Sequence, residues 1–231
     1  MDLGILDELE GKWLNILFFG DSITDAGRNR DGSLHMSALG WGFVRVIADR
    51  LQGKEPEKYE IINRGISGNR IVDLYARIKS DVWNLKPNVL SILIGINDIW
   101  HEINYGNGVE IERFENVYRM MLVDTIKVLP RTKIILCEPF VLEGGATNAT
   151  EEIPERYERF CQVYQYAEVV KKLAEEFNLP FLPLQEKFTK AAQKSKAEYY
   201  LVDGVHPHVA GANLIAEEWI NLFQGEVMKS V

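Results

Sequence analysis

The 231-residue chain has few of the groups that staple, anchor or metallate a fold. It has two cysteines, Cys137 and Cys161, and neither sits in a CxxC pair or a Cys/His cluster. A disulfide framework and a thiolate metal site are therefore not expected, and both read as thiols of a reducing compartment. Among its four histidines, His206 and His208 form a His-Pro-His pair. No carboxylate or cysteine cluster completes a metal site around that pair, so neither a metal nor another cofactor is expected. No apolar run approaches the roughly 18 residues that cross a bilayer. The acidic start Met1-Asp2-Leu3-Gly4-Ile5-Leu6-Asp7-Glu8 lacks the basic and apolar pattern of a signal peptide. A cytoplasmic protein with no membrane partner is expected.

Positive charge is also scarce. Twenty-six Lys and Arg face 34 Asp and Glu, for a formal net charge of −8. Short basic groups such as Arg28-Asn29-Arg30 are diluted by acids nearby. Phosphate neutralisation needs clustered Lys and Arg, so no nucleic-acid partner is expected, and a neutral or weakly charged small molecule fits better. The glycines of 65–68 lack the Gly-Lys-Ser/Thr ending of a phosphate loop. A G-x-S-x-G nucleophile elbow is missing too.

What is present is alternation. Short apolar runs at 15–19, 59–63, 89–94, 133–138 and 179–184 are separated by amphipathic segments at 41–51, 71–85, 111–129 and 154–177, with a last one at 207–223. The first four runs are rich in Ile, Leu, Val and Phe with little polar alternation, as strands covered on both faces should be. This βαβ rhythm predicts a mostly parallel five-stranded sheet with helices on both faces. No repeat, low-complexity tract or linker divides residues 1–231, so one domain is expected. Two polar loops, 25–40 and 143–153, have the length of binding loops or lids, or of plain solvated excursions.

In a parallel α/β sheet the carboxyl ends of the strands open onto one crevice, where ligands bind. Gly20-Asp21-Ser22 follows the first strand, Asn63-Arg64-Gly65-Ile66-Ser67-Gly68-Asn69 the second, and Gly95-Ile96-Asn97-Asp98 the third. Asp203-Gly204-Val205-His206-Pro207 precedes the last helix. Chemistry then suggests roles. The Ser22 hydroxyl is a nucleophile candidate, His206 its base, and Asp203 the group that orients the imidazole. Ser22 alone would also suit a helix cap, and Asp-Gly alone a surface turn. Donors for an oxyanion are the Ser22 N–H, the Asn97 amide and a glycine, where the missing Cβ permits close approach. Gly65 competes with Gly68 for that last place. Asp21 and Asp98 read as structural. Trp100 and Trp41 are candidates for the substrate site or for packing, whereas Trp13, Trp83 and Trp219 read as packing.

These four blocks, in this order over residues 20–207, resemble those of the SGNH/GDSL hydrolases. The resemblance implies a three-layer α/β/α flavodoxin-like fold and metal-free ester hydrolysis. It puts the family's namesake residues on Ser22, Gly68, Asn97 and His206, with Asp203 as the acid. It favours Gly68 over Gly65. The stretches Gly20–Asp25, Ala38-Leu39-Gly40, Arg64–Asn69 and Gly95–Trp100 are similar to those of intracellular carbohydrate acetylesterases, notably bacterial acetylxylan esterases. That implies a serine esterase acting through an acyl-enzyme on O-acetylated sugars or xylo-oligosaccharides, and a possible homo-oligomer. The readings that compete with it are a lysophospholipase, thioesterase or arylesterase of the same family, and an inactive carbohydrate-binding protein.

Overall fold

The computed structural model of the protein describes residues 13–31 and 36–228. The acidic start, and residues 32–35 of the first polar loop, lie outside them. The described residues form a five-stranded sheet in the order β2-β1-β3-β4-β5. Its strands are β1 (Leu14–Gly20), β2 (Tyr59–Gly65), β3 (Val89–Leu93), β4 (Lys133–Cys137) and β5 (Phe181–Leu182). Every pairing is parallel. The helices are α1 (Ser22–Asp25), α2 (Phe43–Leu51), α3 (Ile71–Asp81), α4 (Ile96–Tyr105), α5 (Ile111–Val128), α6 (Arg156–Phe160), α7 (Val163–Glu176), α8 (Gln185–Lys194) and α9 (Val209–Leu222).

Ile16, Leu17, Phe18 and Phe19 are all buried, so β1 is covered on both faces, as its unbroken apolar run requires. Phe18 meets Phe43 of α2 and Trp219 of α9 on one face. On the other face Phe19 carries the Arg77 guanidinium of α3, 4.3 Å from its ring centroid. Trp219 anchors the first layer. It stacks on Phe223, and its indole N–H donates to Ser91 Oγ of β3 at 3.0 Å. The second layer holds α3, α5 and α7, with Phe114 of α5 edge-on to Tyr166 of α7.

Three expected elements differ from the sequence reading. The segment 154–177 is two helices, α6 and α7, parted at Cys161 and Gln162. The fifth strand shrinks to two residues, because the chain turns early into α8. No local side chain caps that helix. Instead Glu138, at the end of β4, accepts the N–H groups of Leu184 (2.6 Å) and Gln185 (2.8 Å). The amphipathic segment 71–85 ends as a helix at Asp81 and continues in a 3₁₀ turn, Trp83–Leu85. It is closed by Lys86 at φ 46°, ahead of Pro87.

From β1 the chain crosses to β2 on one side, then returns past β1 to build β3, β4 and β5. The crevice of such a sheet opens where the winding reverses, at the ends of β1 and β3. Those two ends run directly into α1 and α4.

Candidate active site

Asp21 is fully buried and caps α1, accepting the Ile23 N–H on Oδ1 at 2.9 Å. That starts a helix of four residues, which Ala26 ends in the left-handed conformation at φ 41°. Ser22 is its first residue, where a backbone N–H has no acceptor inside the helix. Ser22 Oγ lies 2.9 Å from His206 Nε2. His206 Nδ1 lies 2.7 Å from Asp203 Oδ2. The other oxygen, Asp203 Oδ1, accepts the N–H groups of Val205 (2.9 Å) and His206 (2.8 Å). A carboxylate only accepts, so the imidazole carries its proton on Nδ1 and offers Nε2 to the hydroxyl.

The Asp203–His206 turn is held from both sides. Gly204 takes φ 97°, and Leu201 bridges Pro207. The polar loop 143–153 packs against it: Leu142 N–H donates to Gly204 O, and Ala146 N–H to Asp203 O, both at 2.8 Å. A Cβ on Gly144 would fall 2.4 Å from Gly204 N, so the two backbones meet with no room for a side chain. Thr147 is fully buried, donates to Leu142 O at 2.8 Å and accepts the Gly144 N–H at 2.9 Å. The loop therefore buttresses the turn. The glycine pair in the sequence hints at close approach, but nothing local reveals what it approaches.

Electrostatics follow from these contacts. The hydrogen bond that Asp203 accepts raises the His206 imidazole above its ordinary range against the cost of burial, and the charges of Asp203 and Asp21 add to the rise. Burial alone would push Asp203 up; its hydrogen bonds to the His206 ring and to the two backbone N–H groups outweigh that and hold it low. Asp21 has no such support on Oδ2, which is buried without a partner. Burial pushes it up to about 7.

Asn97 sits in the first turn of α4, 5% exposed, and donates one amide hydrogen to Asn69 O at 3.1 Å. Its second N–H remains for another acceptor. Asp98 beside it accepts the Ile71 N–H at the start of α3. Arg77 donates to Asn69 Oδ1 (2.7 Å), to Arg64 O (2.9 Å) and to Gly20 O (3.1 Å), tying the ends of β1 and β2 to the 66–69 loop. The two glycines differ. A Cβ on Gly65 would collide with the backbone of α1, 2.1 Å from Asp25 N. Gly68 has φ 83°, and the nearest atom to a Cβ there is His101 Nε2 at 3.9 Å. Gly65 is thus a packing position, and Gly68 faces open space.

Trp100 comes to the site, with its ring centroid 5.7 Å from that of His206 and 5.3 Å from that of Phe160. Trp41 is 79% exposed and lies over Gly27, whose missing Cβ makes room for its ring. Its backbone N–H donates to Ala26 O at 3.0 Å, at the end of α1. His208 is exposed at the start of α9.

A parallel 2-1-3-4-5 sheet between two helical layers, with this hydrogen-bonded chain at its switch point, is the architecture of the SGNH hydrolases. The chain belongs to the GDSL-like lipase/acylhydrolase family, whose model matches residues 18–214. It is 35% identical over 226 residues to an acetylxylan esterase of Geobacillus stearothermophilus, covering 95% of this chain and 98% of the relative. The crystal structure of that bacterium's acetylxylan esterase superposes with a TM-score of 0.76 at 35% identity, over 92% of this chain and 94% of the other. A GDSL-like protein from Parabacteroides merdae superposes at 0.80 with 40% identity, over 91% and 95%. The chain is a carboxylic ester hydrolase. Among the described residues, no helix is long and apolar enough to cross a membrane.

Proposed function

We propose that the protein removes O-acetyl groups from sugars or xylo-oligosaccharides through an acetyl-enzyme on Ser22. His206 Nε2 takes the Ser22 proton as Oγ attacks the acetyl carbonyl carbon. The oxyanion of the tetrahedral intermediate receives hydrogen bonds from the Ser22 and Gly68 N–H groups and from the free N–H of the Asn97 amide. On collapse the carbon–oxygen bond to the sugar breaks, and His206 returns the proton to the departing sugar oxygen. Water then attacks the acetyl-serine and gives its proton to His206, and acetate leaves as Ser22 recovers its proton. Asp203 holds the ring and stabilises the imidazolium at each of the two stages.

The observation that carries this reading is the unbroken chain from Ser22 Oγ through His206 to Asp203, at 2.9 and 2.7 Å. The sugar ester is supported by likeness to the acetylxylan esterase of G. stearothermophilus over 95% of the chain. Structures of that bacterium's esterase include catalytic mutants in which a serine, an aspartate or a histidine is replaced by alanine.

The test is acetate release from acetylated xylose and xylo-oligosaccharides. The Ser22→Ala variant should lose turnover while keeping the wild-type melting temperature. Wild-type turnover in that variant sinks the mechanism. A panel of longer acyl esters tests the substrate: equal or faster hydrolysis of long chains overturns the acetyl reading.

A further inference from the structure

Helix α4 brings more to the site than Asn97. Positions 97, 101 and 105 share one helical face, so Asn97, His101 and Tyr105 form a stripe about 12 Å long from the oxyanion loop outward. His101 Nε2 is the nearest atom to the open position over Gly68. Neither of its ring nitrogens has a hydrogen-bond partner among the described residues. Its ring is edge-on to Tyr105, with centroids 5.6 Å apart at 88°. Tyr105 is 72% exposed, an aromatic face left open to solvent at the end of the stripe.

The stripe is rigidly joined to the loop it flanks. Asn97 binds Asn69 O, Asp98 binds the Ile71 N–H, and Arg70 Nη1 donates to Asn107 O at 2.7 Å just beyond the helix. Burial and the nearby Arg70 charge push the His101 imidazole down, so the ring is neutral at pH 7. A neutral imidazole offers one donor and one acceptor, which matches a sugar hydroxyl. The exposed phenol ring offers an apolar face to the C–H side of a sugar ring.

We propose that His101 and Tyr105 form a saccharide subsite. In it His101 hydrogen-bonds a hydroxyl of the acetylated sugar, and Tyr105 stacks on the next sugar of the chain. This rests on the sugar-ester reading above. Neither residue takes part in proton transfer; both hold the leaving sugar, so their effect belongs in KM and in substrate preference.

The experiment compares kcat and KM for an acetylated xylo-oligosaccharide and for p-nitrophenyl acetate, in wild type, His101→Ala, His101→Gln and Tyr105→Ala. His101→Ala should raise KM for the oligosaccharide, and the oligosaccharide-to-aryl ratio of kcat/KM should fall about tenfold, as for one lost hydrogen bond. His101→Gln, which restores a donor and an acceptor, should recover most of the ratio. Tyr105→Ala should lower it on chains of two or more sugars and spare acetylated xylose. Equal losses on both substrates, or a Gln variant no better than Ala, overturn the subsite and leave the esterase reading standing. A wild type that cleaves p-nitrophenyl acetate and rejects acetylated sugars overturns the sugar-ester reading and the subsite together.

Discussion

Replacing Asp21 with asparagine should make the protein more stable at alkaline pH and shift its activity toward acid. The carboxyl is fully buried, and one oxygen caps α1 while the other has no partner. Burial lifts it from 3.8 to about 7. A carboxyl that binds its proton more tightly when folded makes the protein lose stability as pH rises through that interval. Between pH 5 and pH 8 the loss is about 2–3 kcal/mol, at 1.36 kcal/mol per pH unit of difference. The amide introduced by Asp21→Asn would keep the oxygen that accepts the Ile23 N–H and could not ionise. Urea titrations at pH 5 and pH 8 should therefore show the variant's advantage over wild type growing by about 2–3 kcal/mol between the two, with m unchanged. The charge of Asp21 also helps to raise His206. In the proposed mechanism His206 is a base only when neutral, so lowering its pKa should move the acid limb of kcat/KM to lower pH. A difference in stability that is flat from pH 5 to pH 8, or an acid limb that moves upward, refutes this account of Asp21.

Three further perturbations separate the site's parts. Asn97→Ala should lower kcat by on the order of 10²–10³ with little change in KM; a loss under threefold removes the amide from the oxyanion. Gly65→Ala should cost about 3 kcal/mol in chemical denaturation, since its Cβ would meet the Asp25 backbone, which cannot swing aside; a loss below about 0.5 kcal/mol would show that α1 yields there. Thr147→Val should cost about 1–3 kcal/mol by stranding its backbone partners, the buried Leu142 O and the half-buried Gly144 N–H. It should also lower kcat through the loosened Asp203 turn, and an unchanged kcat would detach the loop from the chemistry.

Much of the fold is legible because strands and helices leave periodic traces. The apolar runs of β1 to β4 coincide with strands, and the candidate chemistry follows their ends. The parts that are not legible depend on long-range partners. Helix α8 is capped by Glu138, 46 residues upstream, so no local signal marks its start. Helix α4 has helical spacing in Ile96, Ile99 and Ile103 but no local start signal, because Gly95 at φ 137° opens it without a side-chain cap. The same blind spot hides His101, which a linear reading cannot set beside Gly68. The loop at 143–153 has the length and polarity of a lid or a solvated excursion. Its buried Thr147 and the Gly144–Gly204 contact make it a brace for the turn.

The two buried aspartates, read as structural, explain how so small a site stays in place. Asp21 gives one oxygen to the start of α1, and Asp98 gives one to the start of α3. Each leaves its second oxygen buried and unpartnered, and each is pushed upward by burial, with the charge of Asp21 raising Asp98 further. A fold selected for stability alone would place asparagine or serine at such caps. What the carboxyls add is a fixed acceptor at the ends of β1 and β3, where the proposed site lies. One carries Ser22, and the other lies between Asn97 and the helix that follows the Gly68 loop. The arrangement costs stability at neutral pH, and it ties the start of α1, which carries Ser22, and the start of α3 beside Asn97 to buried acceptors.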